Sequence, residues 1–229
     1  MQTRMAESRS NLLRTLTLAA ISVWLIQTPQ VSVAEPQPTA AARETARALM
    51  QEGDQLATAG DNRAALTRYE AAHALVRIPT TGLEVARTQV KLGQLVEARG
   101  LAMEMSNTAP TAGEPPVYAR ARTAAAELAR DLAARIPSVR TDVTPADSRY
   151  SLTIDGQPLP KEARTIAFRL NPGTHIVVVA AHGYVTQRKE VKLVERQAAV
   201  LTVALAPAPA ATTAGPVPTP APGKGTAAR

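Results

Sequence analysis

The three histidines, at positions 73, 175 and 182, are the side chains with the widest chemical range in this sequence. A shared metal site would need their rings to converge. His175 and His182 are an odd number of residues apart, so on one continuous strand they point to opposite faces. They are therefore read as surface or turn residues, and His175, just after Pro172-Gly173, is placed to brace that turn. His73 stands among Ala71, Ala72, Ala74 and Leu75 and reads as a helix-packing residue. The chain has no cysteine, which excludes a thiol nucleophile, a disulfide and a thiolate metal site. No Gly-x-Ser-x-Gly elbow, Gly-rich phosphate loop or His-Glu-x-x-His is present. Most carboxylates read as solvated helix-face charges, although a catalytic pair meeting in space stays open as an alternative. The expectation is a protein that is not an enzyme, with no catalytic residues, no cofactor and no metal.

Arg188, Lys189 and Lys192 make a basic stretch on one predicted strand. One reading is that they blunt a sheet edge against aggregation; the other is contact with acidic lipid or wall polymer. The net charge of +7 invites a nucleic-acid reading, but it is dispersed. The twelve basic and twelve acidic residues of 35–136 cancel, and 137–206 carry nine against six. Aromatics are only 3% of residues, and the single tryptophan is Trp24. With no aromatics interleaved for base stacking, no nucleic-acid partner is expected, and the lack of tryptophan beyond position 24 counts against a sugar-stacking surface.

The elements that must position these residues begin after a leader. Arg4, Arg9 and Arg14 precede an uncharged run from Thr15 to Ile26, and Ser32-Val33-Ala34 follow. This is the layout of a signal peptide over 1–34, cleaved so that the mature chain starts at Glu35. The run is short for a transmembrane helix, which needs roughly 20 apolar residues. Its flanks leave one alternative: an uncleaved helix anchoring the protein to the inner membrane.

From Thr39 to Ile136 the composition is helical, punctuated by glycine and proline. The punctuation repeats: Gly60 and Ala65 recur as Gly93 and Ala98, a shift of 33 residues. That period predicts helix pairs over 42–58 with 62–77 and 82–92 with 95–107. A further helix over 117–136 is opened by Pro115-Pro116 and stopped by Pro137. Gly53, Gly60, Ala65, Tyr69 and Ala72 in the first pair, and Ala86, Gly93, Ala98 and Pro110 in the second, resemble the tetratricopeptide repeat. That resemblance implies small residues at the helix crossings and a concave partner-binding side lined by the first helix of each pair.

After Pro137 the period changes to alternation. Tyr150, Leu152 and Ile154 alternate with polar residues, as do Ile166, Phe168 and Leu170. Runs at 139–143, 175–181, 187–194 and 198–205 complete about six short strands, separated by Asp155-Gly156, Asn171-Pro172-Gly173 and His182-Gly183. Such spacing predicts a two-sheet sandwich. Pro145, the run containing Asp155 and Gly156, then Pro172, Gly173 and His175, and finally Gly183-Tyr184 resemble the PEGA domain, a small β-sandwich of bacterial envelope proteins. The Pro-Glu-Gly-Ala stretch itself is replaced here by Pro145-Ala146-Asp147-Ser148. Residues 207–229, mostly Ala, Pro, Thr and Gly, read as a disordered tail.

The fold class expected is α+β in separate domains: a signal peptide (1–34), a tetratricopeptide-like helical repeat (35–136), a PEGA-like, immunoglobulin-like β-sandwich (137–206) and the disordered tail (207–229). The function expected is an exported periplasmic or cell-envelope protein acting as a non-enzymatic protein–protein interaction scaffold, with an envelope protein as partner. The alternatives are a peptidoglycan or surface-polysaccharide binding module and, third, a hydrolase. The resemblance to the repeat family makes Gln51, Arg87 and Lys91 the candidate partner-binding face.

Overall fold

The computed structural model describes residues 38–146 and 149–209. The leader and its cleavage site, and all but the first three residues of the tail, lie outside the described residues. Among the described residues five α-helices come first and seven strands follow.

Local signals set the helix ends. Helix α1 (Ala40–Thr58) is capped by the Thr39 hydroxyl, which accepts from the Ala42 N–H at 3.1 Å. Asp61 does the same for α2 (Asn62–Val76) through Ala64 N–H at 3.0 Å. Each satisfies one of the amide donors that a helix start leaves unpaired. Pro79 opens α3 (Pro79–Lys91), where its missing N–H costs nothing. The turns after α1 and α3 use Gly60 and Gly93 at φ +86° and +77°, a region that a Cβ disfavours. Helix α4 (Leu95–Ser106) has no cap from its own N-cap residue, Gln94. Helix α5 (Pro116–Arg135) starts at the paired prolines and ends before Pro137.

Each helix packs on the next, and α5 also reaches back to α3. The crossings are made by small residues. Ala65, Ala86 and Ala98 are fully buried, and Gly53 lies so close to the Tyr69 ring that a Cβ there would come within 2.5 Å of it. Close backbone approach at these points lets aliphatic clusters form around Leu66 and Val85 and around Leu95 and Leu132.

The strands form two sheets. One contains β1 (Ser138–Thr144), β4 (Phe168–Arg169) and β7 (Ala198–Ala204) in the order β4-β1-β7, with β1 and β7 parallel. The other contains β2 (Tyr150–Ile154), β3 (Gln157–Pro158), β5 (Gly173–Ala181) and β6 (Gln187–Leu193), antiparallel in the order β3-β2-β5-β6. Between them sit Val139, Leu152, Ile154, Val177, Val179, Leu193 and Val203. Asp155 and Gly156, at φ +51° and +80°, make the two-residue turn of the β2–β3 hairpin.

Two details differ from the strand expectations. Of residues 166–170 only Phe168 and Arg169 pair; Ile166, with no partner strand, is 58% exposed. The ordered chain also continues past 206: Val185 N–H donates to the Ala206 carbonyl and Ala208 N–H to that of Gly183, each at 2.8 Å, so 206–208 are tied down.

The helical and strand regions meet through polar contacts. The Arg135 guanidinium takes both carboxylate oxygens of Glu195, at 2.8 and 3.0 Å, and also Asp131 at 3.0 Å. These bonds raise the pKa of Arg135 and lower that of Glu195. Arg196 N–H donates to the Arg135 carbonyl at 2.7 Å, and Arg169 donates to the Ala133 carbonyl at 2.8 Å. Asn171 supplies what α4 lacks: its Oδ1 accepts from Val96 N–H at 2.8 Å, and its Nδ2 donates to Glu97 at 2.7 Å.

Candidate functional site

The residues proposed from sequence fall into corresponding rows on the first helices of the two pairs. The 33-residue shift places Gln51 on Glu84, Asp54 on Arg87 and Thr58 on Lys91. Within each helix these positions are three and four apart and share a face. Gln51, Arg87 and Lys91 are all exposed. Arg87 is not a free cation, since its guanidinium donates to Glu84 at 2.6 Å on the same helix. Lys91 has no ion pair among the described residues.

Tyr69 of α2, 3% exposed, packs its ring against Gly53 of α1, and its hydroxyl donates to Asp54 at 2.8 Å. Burial, then the Asp54 hydrogen bond and the Asp54 and Glu84 charges, push its pKa above the usual phenol range, so it stays a neutral donor. A buried, hydrogen-bonded ring thus fixes the position of Asp54 beside the exposed side chains. What these exposed side chains offer is hydrogen bonding and modest charge.

His73 is held in the helical region. Its Nδ1 is 2.8 Å from the Thr81 hydroxyl, which lies 3.0 Å from the Ile78 carbonyl. Burial lowers the pKa of the ring, opposed by Glu104 and aided by Arg77. His175 lies at the base of β5: its Nδ1 is 2.7 Å from Asp155 Oδ2 and its Nε2 is 2.8 Å from the Asn171 carbonyl. His182 sits apart from it in the exposed turn between β5 and β6. Among the described residues no group of three metal-ligating side chains comes together. Arg188, Lys189 and Lys192 lie on β6, an edge strand, all exposed.

Sequence reasoning missed two grooves. One, of about 440 Å³, lies among α2, α3 and α4, lined by His73, Arg77, Gln89 and Glu104 among others. The Gln89 Oε1 is buried with no hydrogen-bond partner among the described residues. The other, of about 530 Å³, lies between α4 and α5 on a floor of Ala126, Ala129 and Ala133, with Arg99 and Arg130 beside it. Neither arginine has a carboxylate partner among the described residues. Periodicity locates buried stripes and is silent about gaps between helices, so no signal in the sequence marked these grooves.

No protein-family model matches the chain, and no curated protein sequence matches it.

Proposed function

We propose that this chain is an exported periplasmic or cell-envelope protein that acts without enzyme chemistry as a protein–protein interaction scaffold. In this reading the tetratricopeptide-like helix pairs hold an envelope protein partner, and the PEGA-like sandwich is the spacer or docking module behind them. The observation that carries it is the division of labour on α1 and α3. Gly53 and Ala86 are consumed by helix crossing, while Gln51, Arg87 and Lys91 stay exposed. The leader over 1–34 is the reason for placing the partner in the envelope. An uncleaved leader would tether the same scaffold to the inner membrane.

A second reading, binding of peptidoglycan or another acidic wall polymer, is favoured by the exposed Arg188, Lys189 and Lys192, which have no carboxylate partner among the described residues. Affinity recovery from envelope extract, run beside sedimentation of the pure protein with isolated cell walls, separates the two. A specific protein in the eluate and no protein in the wall pellet supports the scaffold. Pelleting with walls and an empty eluate overturns it.

A further inference from the structure

Each sheet of the sandwich has one long open edge, and the two are chemically opposite. In the four-stranded sheet the edge is β6, which carries Arg188, Lys189, Glu190 and Lys192. In the three-stranded sheet it is β7, Ala198–Ala204, which has no charged residue and no proline. Proteins usually guard such edges with charge, proline or bulges. Here one is guarded and the other is bare.

The ladder to β1 shows which groups of β7 are free. Ser138 N–H donates to the Gln197 carbonyl at 2.9 Å, and Leu205 N–H donates to that of Thr144 at 2.8 Å. Main-chain groups alternate sides along a strand, so Ala199, Leu201 and Val203 also face β1. Ala198, Val200, Thr202 and Ala204 turn both N–H and C=O away from it, with no main-chain partner among the described residues. All four are exposed, Val200 at 59%.

We propose that β7 is a self-association edge, on which a second copy of this chain adds its own β7 in antiparallel register about a two-fold axis through Leu201. That operation sets Ala198 opposite Ala204 of the second copy and Val200 opposite its Thr202. All four free residues then fall in hydrogen-bonded pairs, each exchanging two N–H···O bonds, and the two three-stranded sheets become one six-stranded sheet. No like charges meet within the paired window, which ends at Ala204 because the Ala206 carbonyl beyond it is already taken by Val185 N–H. The same operation on β6, centred on Glu190, would set Arg188 against Lys192 and Glu190 against itself, a like-charge arrangement that disfavours pairing. The chain's own C-terminal segment is a poor competitor for β7, because Pro216, Pro218, Pro220 and Pro222 lack the N–H that a ladder needs.

The absence of native cysteine makes a register test clean. Two full-chain variants, Val200→Cys and Thr202→Cys, are prepared separately and then mixed in a glutathione redox buffer. In the proposed dimer positions 200 and 202 of the two copies sit about 5.5 Å apart, within disulfide reach of about 4.4–6.8 Å. Identical positions are offset diagonally, beyond that reach. The mixture should therefore give several-fold more disulfide-linked dimer than either variant alone. Adding Ala198→Lys and Ala204→Lys to both variants, which places like charges directly opposite, should abolish the excess while leaving the circular dichroism spectrum unchanged. A mixture that cross-links no better than the single variants, or an excess that survives the lysines, overturns the proposal.

Discussion

Replacing His175 with phenylalanine keeps a planar ring of similar size on β5 and removes two hydrogen bonds. Both partners of the imidazole, the Asp155 carboxylate and the Asn171 carbonyl, can only accept, so both ring nitrogens must be protonated to satisfy them. Burial works against that charge, but the Asp155 bond, the Asn171 bond and the Asp155 charge outweigh it, and the His175 pKa is raised. Asp155 shifts the other way: burial opposes its ionisation, but His175 and the Ile176 N–H lower its pKa. A bond between charged groups contributes about 1.5–3 kcal/mol and a neutral one about 1 kcal/mol. The Asp155 side chain is 45% exposed, which puts its bond at the low end. The loss is then about 2–3 kcal/mol, or a Tm drop of about 4–10 °C for a folded unit of this size.

The raised histidine pKa gives stability that is full below its unfolded value near 6.5 and lost as pH rises through the folded value. The lowered aspartate pKa gives stability that is present above its unfolded value near 3.9 and lost as pH falls through the folded one. Thermal melts of parent and variant at about pH 5.5, where both groups are charged, should show the full gap. At about pH 9, with the ring neutral, the gap should shrink to about 1 kcal/mol. His73, whose pKa burial lowers, loses stability as pH falls, but it is common to both proteins and cancels in the difference. A gap that is absent at the lower pH, or equal at the two, refutes the charged-brace argument.

Three further substitutions test the packing and the capping. Gly53→Ala should destabilise by about 1–2 kcal/mol, because overpacking against the Tyr69 ring exceeds the helix-propensity gain of about 1 kcal/mol. Gly100→Ala in α4, which meets no atom within 4 Å, should stabilise by up to about 1 kcal/mol in the same denaturant titration, and equal signs for the two would contradict the packing. Asn171→Ala should cost about 1 kcal/mol by uncapping α4 and speed amide exchange at Val96; unaltered exchange there would show that the cap contributes nothing.

Much of the fold was legible because the deciding signals are local. Asp61 and Pro116 open helices where they stand, Gly60 and Gly93 close turns, and Asp155-Gly156 makes a hairpin whose φ angles those residue types tolerate, whereas α3 starts at Pro79, three residues before the expected 82. The alternation of Leu152 and Ile154 with Ser151 and Thr153 marked β2 because one face is buried. What stayed illegible is non-local. The α4 cap comes from Asn171, 75 residues from Val96, and the Arg135–Glu195 pair spans 60 residues. The parallel match of β1 with β7 joins the two ends of the strand region. Ile166 alternates as a strand residue should, yet no strand pairs with it, because pairing depends on neighbours that period cannot supply. For the candidate face, residue type and spacing proposed Gln51, Arg87 and Lys91, whereas the Tyr69–Asp54 bond and the pairing of Arg87 with Glu84 emerge only from geometry.

The scaffold reading is tested most directly by quantitative recovery of envelope proteins on the parent chain and on the Arg87→Ala, Lys91→Ala double variant. Both side chains are exposed, so the variant's melting temperature should stay close to the parent's, since surface substitutions usually move stability by less than about 0.5 kcal/mol. A protein retained by the parent should be lost from the equally folded variant. Recovery unchanged by the double substitution would contradict the assignment of partner binding to the α1–α3 face.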